Sequence, residues 1–187
     1  MLSKKENKKV VFFGEKALEE ARIWDPEAMP MEKKENPEEK SGWVFFDDQI
    51  GSDEVGVGDF LGPMIVVAAF VKGRDINKLK AYGIQDSKKM SDKTILEIGP
   101  KIVKEFRFSK LTLPNEKYNE MLDKGENLNS MKAKMHNRAL LNLHKEYPEV
   151  LNVFVDQFVS EKNYFKYLND ANEERVEDIV FRTKGES

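Results

Sequence analysis

GSDEVGVGDFLGPMIVVAAFV, residues 51–71, is the stretch that decides the fold. It begins at the end of a strand-like segment, VFFDDQIGSDE (44–54), and closes with a continuous apolar run, GPMIVVAAFV (62–71), long enough for a central strand. Gly56, Gly58 and Gly62 lie between the two and mark a tight reversal. Asp53 and Glu54 are adjacent at the end of the first strand. Neighbouring side chains on a strand point to opposite faces, so a charged pair inside an apolar sheet is costly unless something uses it.

Downstream, strands and helices alternate. Asp75–Tyr82 and Ser91–Glu105 read as helices, the second capped by Ser91 or Asp92 and carrying a buried stripe of Ile95, Ile98, Ile102 and Val103. Arg107–Leu113 alternates as a strand. Asn129–Glu146 is a helix with Met131, Met135, Ala139, Leu140 and Leu143 facing inward, followed by a short buried strand, Leu151–Val155, that ends at Asp156. Ile179–Thr183 is a last strand. The pattern predicts an α/β domain, a mixed sheet covered by helices.

Upstream, KKVVFFGEKALEEARIW (8–24) reads as a strand (Val10 to Phe13), a turn at Gly14 and a helix with Ala17, Leu18, Ala21 and Trp24 on one face. Such a pair cannot bury its apolar sides alone. DPEAMPMEKKENPEEKSG (25–42) has three prolines and dense mixed charge and reads as a linker. The expected organisation is a remnant at 1–24, a linker at 25–42 and the main domain at 43–187.

Composition sets the outer limits. The 187 residues suit one domain with a short appendage, and 40% hydrophobic residues are enough for a core. The charged fraction, 35%, exceeds the ~25% of ordinary soluble domains, so part of the chain is expected to be solvated. The absence of cysteine excludes a disulfide framework, a thiolate zinc site and a cysteine nucleophile. No apolar run approaches the ~20 residues of a membrane span, and the lysine-rich start leads into no signal-like segment. A soluble, cytoplasmic protein is the expectation. The net charge of -3 leaves nucleic-acid binding open, because local patches matter more than the sum.

The chemistry lies in the carboxylates. Asp156, like Asp53 and Glu54, falls at the end of a strand, where open α/β sheets build their sites. An aspartate there also forms turns or caps helices, and a surface Asp–Glu pair is often merely solvated. Several hard oxygen donors without a histidine or cysteine cluster suit Mg²⁺ or Mn²⁺. Paired ions of that kind, ~3.5–4 Å apart, serve phosphodiester hydrolysis. His136 and His144 have no partner histidine at ligand spacing.

The stretch 51–71 resembles the opening motif of ribonuclease HIII, a bacterial type 2 ribonuclease H that cuts RNA in RNA–DNA hybrids. YGIQDSKKMSD (82–92), NEKYNEM (115–121), NSMKAKMHNRAL (129–140), VDQFVS with YFKYL (155–168) and the closing FRTKGES (181–187) resemble further family motifs in the same order. The resemblance implies a ribonuclease H-like mixed sheet flanked by helices. It also implies that Asp53, Glu54, Asp156 and Glu186 hold two divalent ions, Mg²⁺ or Mn²⁺, against the scissile phosphate. In-line attack by water would then leave a 5′-phosphate and a 3′-hydroxyl. The implied partner is an RNA–DNA hybrid, with no membrane and no obligate protein partner.

Substrate contacts are expected at three places. The turn Gly56, Val57, Gly58 brings backbone N–H groups close to a phosphate or ribose, unless it is purely structural. Val57 stands where the family more often has threonine, which removes a hydroxyl but no backbone contact. Ser87, Lys88 and Lys89 either bind phosphate or form an ordinary solvated loop. By resemblance His136 and Asn137 face the hybrid, on a helix whose basic stretch includes Lys132, Lys134 and Arg138.

The resemblance further implies an N-terminal substrate-binding domain, of which residues 8–24 correspond to the final strand and helix. It implies additional helices beyond the fourth carboxylate. With Glu186 penultimate, those C-terminal helices are expected to be missing, and apolar surface to be exposed in an unstable, incomplete chain. Two other function classes remain open on the residues: a non-catalytic remnant that at most binds hybrid or duplex nucleic acid, and a Mg²⁺-dependent phosphoesterase acting on small substrates.

Overall fold

A computed structural model of the chain describes residues 17–29, 47–59, 61–85 and 87–182. The chain divides into two compact units, residues 1–37 and 38–187. In the first, helix α1 (Ala17–Trp24) half-buries Leu18 and Ala21 but leaves Ile23 and Trp24 exposed. Trp24 is thus not buried with Leu18 and Ala21 on the expected apolar face. The strand expected at Val10 to Phe13 lies outside the described residues, as does most of the stretch 25–42.

The second unit is built on a five-stranded sheet of order β3-β2-β1-β4-β5. Its strands are β1 (Gln49–Val55), β2 (Met64–Val71), β3 (Arg107–Leu113), β4 (Asn152–Asp156) and β5 (Ile179–Arg182). The helices are α2 (Ile76–Ala81), α3 (Asp92–Glu105), α4 (Asn115–Asp123), α5 (Leu128–His144) and α6 (Glu161–Asp170). β1, β2 and β3 form an antiparallel meander, whereas β4 pairs parallel with β1 and β5 parallel with β4. This is the mixed α/β sheet anticipated from the alternation. None of the described helices is long and apolar enough to cross a membrane.

The core lies between one face of the sheet and α5. Met64, Val66, Ala68 and Phe70 alternate as the buried face of β2, and Ile50, Val153 and Val155 continue that face across β1 and β4. Ala139, Leu140 and Leu143 of α5 pack onto it. α5 is started by a reciprocal cap: the Asn127 side chain accepts from Ser130 N, and the Ser130 hydroxyl accepts from Asn127 N. Ser91 caps α3 by accepting from Thr94 N, one of the two caps anticipated.

Two expectations fail in detail. α3 has no buried residue: Ile98 and Ile102 reach half burial, and Ile95, Leu96 and Val103 are exposed. Its periodicity reports an amphipathic helix but not what lies against it. Leu151, expected to begin a buried strand, precedes β4 and is exposed. On the sheet face away from α5, one cross-strand row runs Phe108, Ala69, Gly51, Phe154, Val180. Phe108 and Val180 at its ends are exposed.

Two buried polar groups behave oppositely. Asn137, fully buried on α5, donates to Glu174 O at 2.7 Å and accepts from Val176 N at 3.3 Å, tying down the segment before β5. Tyr164 is fully buried among Phe158, Phe165 and Phe181, and its hydroxyl has no hydrogen-bond partner among the described residues. Asn137→Ala orphans two backbone groups and should cost about 2 kcal/mol, whereas Tyr164→Phe should gain about 1 kcal/mol. Denaturant melts of the two variants check the opposite signs.

Candidate active site

The register of β1 and β4 places the carboxylates. Ser52 pairs with Val155 in the parallel ladder, so the next residue on each strand, Asp53 and Asp156, stands at the same carboxyl end of adjacent strands. Adjacent strands lie ~4.8 Å apart. Both aspartates are exposed and alternate with buried neighbours, Ser52 and Val155, so they share the sheet face opposite α5. Asp53 also accepts a hydrogen bond from Glu54 N at 2.8 Å, which orients its carboxylate.

Glu54 points the other way, toward α5. Its Oε1 meets Lys132 Nζ and its Oε2 lies 2.8 Å from His136 Nε2. The second ring nitrogen of His136, Nδ1, is 2.8 Å from the Ser52 hydroxyl. A carboxylate only accepts, so Nε2–H donates to Glu54, and in that tautomer Nδ1 accepts from Ser52. Lys132 rests over the Phe158 ring, 4.0 Å from its centroid, two residues beyond Asp156. One buried cluster therefore braces the ends of both strands. Burial alone pushes the Glu54 carboxyl up, but the hydrogen bonds and charges of His136 and Lys132 outweigh it and hold it below the ordinary glutamate value.

Hard oxygen donors on adjacent strand ends are the right chemistry for Mg²⁺ or Mn²⁺. Asp53 and Asp156 supply two on one face, and Glu54 keeps unused lone pairs at the same strand end. Among the described residues no three acidic or histidine side chains gather closely enough to enclose an ion. Glu186, the fourth expected carboxylate, lies outside the described residues.

The remaining expected contacts divide. Gly56 and Gly58 both adopt positive φ, +83° and +92°, in the turn after β1, with Val57 exposed between them. A Cβ on Gly56 would sit 2.4 Å from the Pro63 carbonyl oxygen, whereas one on Gly58 would meet no atom within 4 Å among the described residues. Gly56 is thus required by packing, and Gly58 leaves its backbone approachable. Ser87 and Lys89 are exposed in a short 3-10 turn that includes Lys88, whose side chain is outside the described set.

His136 and Asn137 correct the sequence expectation. Both are fully buried, so neither side chain faces a nucleic acid: His136 braces Glu54 and Asn137 pins the segment before β5. The basic stretch of α5 is also no free patch. Lys132 pairs with Glu54, Lys134 with Glu126 at 2.7 Å and Arg138 with Glu173 at 3.1 Å. Lys132 and Phe158 are the members of the cluster that residue types alone did not single out. The available signal was the i, i+4 spacing of Lys132 and His136, which puts both on one helix face.

The family model described as Ribonuclease HII matches residues 50–187. The chain belongs to the ribonuclease HII family. Curated relatives at 39–44% identity carry the name Ribonuclease HIII. Ribonuclease HIII of Bacillus cereus strain AH187 is 44% identical over 140 residues, 74% of this chain and 45% of that protein. Ribonuclease HIII of Bacillus anthracis strain CDC 684 is 39% identical over 192 residues, 96% of this chain and 60% of that protein. The chain thus spans about half the length of these relatives. The crystal structure of Bst-RNase HIII in complex with Mn²⁺ superposes with a TM-score of 0.73 at 32% identity, covering 91% of this chain and 57% of that one.

Two measurements probe the strand end. The depressed Glu54 value means that the unfolded chain takes up the proton more readily. The stability from this carboxylate is therefore complete above the ordinary value, about pH 4.3, and is lost as pH falls through the lower folded value. The Tm difference between the parent and Glu54→Gln should be largest near neutral pH and close toward acid. In the turn, Gly56→Ala should cost about 3 kcal/mol and Gly58→Ala about 1 kcal/mol, by urea denaturation.

Proposed function

We propose that this chain is the catalytic part of an endonuclease that hydrolyses the RNA strand of RNA–DNA hybrids, leaving 5′-phosphate and 3′-hydroxyl ends. The observation that carries it is the pair Asp53 and Asp156, side by side at the carboxyl ends of two parallel strands on the exposed face of the sheet. Membership of the ribonuclease HII family supports the substrate class, and the Mn²⁺ complex of a relative supports a divalent cofactor.

Asp53 and Asp156, with Glu54 and Glu186, would hold two divalent ions, Mg²⁺ or Mn²⁺. When bound, such ions lower the pKa of water and stabilise charge on the leaving oxygen. The chain's own residues do the rest. The aspartates orient the scissile phosphate's surroundings, and bound cations would offset their mutual repulsion. The backbone at Gly56, Val57 and Gly58 approaches the sugar–phosphate chain, where a ribose 2′-hydroxyl distinguishes RNA from DNA. Ser87, Lys88 and Lys89 contact flanking phosphates. In this organisation residues 43–187 form the catalytic unit, 25–42 a linker and 1–24 the end of a substrate-binding unit.

The test is cleavage of an end-labelled RNA–DNA duplex by the full chain with Mn²⁺ or Mg²⁺. Cleavage should leave 3′-hydroxyl ends and fall to background in Asp53→Asn and in Asp156→Asn. Cleavage that survives both substitutions would refute the assignment. Salt-sensitive gel shifts without turnover would instead indicate the non-catalytic binder.

A further inference from the structure

Lys132 is the least expected member of the strand-end cluster. A lysine on a helix is ordinarily solvated, yet this side chain is 7% exposed and its Glu54 partner 16%. It is confined on two sides, with Glu54 Oε1 at the ammonium and the Phe158 ring beneath it. The His136 ring, one helical turn along, lies 5.2 Å from the same phenyl ring and holds the other carboxylate oxygen. The remaining α5 cations reach different partners, Lys134 to Glu126 and Arg138 to Glu173. Lys132 is therefore devoted to a carboxylate at the end of β1, where Asp53 and Asp156 add two more negative charges.

From this geometry we infer that Lys132 is an internal counter-cation of Glu54, which keeps the carboxylate compensated when no metal ion is bound and which a divalent ion must compete against. The inference rests on the proposed metal site. An ammonium and a divalent ion both satisfy a carboxylate, but they repel each other across it. A buried carboxylate stripped of its partner is strongly unfavourable, and that penalty is what an incoming ion would relieve. His136 keeps Glu54 aimed in either state, because its own orientation is fixed by Ser52.

The test compares the full chain with Lys132→Met, Glu54→Gln and the double variant. Methionine keeps the apolar stem over Phe158 and removes only the charge. Without metal, Lys132→Met should lower Tm by roughly 5–10 °C, and adding Glu54→Gln to it should recover most of the loss. In calorimetric titrations Mn²⁺ should bind Lys132→Met about tenfold more tightly than the parent. If Lys132→Met does not fold without metal, Mn²⁺ should restore its circular dichroism spectrum. The inference is overturned if the double variant is no more stable than Lys132→Met, if Mn²⁺ affinity is unchanged or weaker, or if Mn²⁺ fails to refold an unfolded variant. Parent protein that binds no Mn²⁺, or binds it equally after Asp53→Asn, overturns the metal site and with it the competition. The metal-free comparison then still decides the ion pair.

Discussion

The parallel pairing of β1 with β4 is the constraint on which everything else depends. A parallel neighbour cannot be reached by a tight turn; the chain must leave the sheet, cross one face and return. Here the return path includes α5, whose Ala139, Leu140 and Leu143 cover the buried face of the strands. The result brings the carboxyl ends of two strands together, which an antiparallel hairpin cannot do. Asp53 and Asp156 are separated by a hundred residues of sequence but by one strand spacing in the fold.

Alternation along β1 then creates a problem at Glu54. With Asp53 on the open face, the next side chain is directed into the helix-covered side, where an unpaired carboxylate is costly. Lys132 and His136 solve it from a single face of α5. A buried ion pair of this kind adds little net stability over an apolar pair, but losing one partner is expensive. Its contribution is therefore orientation. Because Lys132 and His136 also pack on Phe158, beyond Asp156, the same cluster ties the end of β1 to the start of the segment after β4.

The two faces of the sheet differ in chemistry. Toward α5 it is a conventional core, closed by the aromatic group of Phe158, Tyr164, Phe165 and Phe181 beside α6. Away from α5 the aspartates share their face with exposed Phe108 and Val180. This face therefore mixes apolar side chains with exposed carboxylates, whereas a solvated sheet would carry polar side chains in alternation.

Much of this was legible in the chain itself. The β-branched run at 64–71, the glycines of the turn and the 3.6-residue spacing of Met131, Ala139, Leu140 and Leu143 are local signals, and local physics was enough to specify strands, turn and helix. The motifs also marked Asp53, Glu54 and Asp156 as chemically important. Periodicity could not tell that the amphipathic stripe of α3 lacks a buried residue, since a pattern shows which face is apolar but not what covers it. Nor could it separate Lys134, half-buried and paired with Glu126, from the buried Lys132, or show that His136 and Asn137 turn inward. Burial depends on which elements meet across long sequence separations. The sequence determined the elements and the candidate carboxylates; the tertiary structure alone decided which face each carboxylate occupies and which cation it meets.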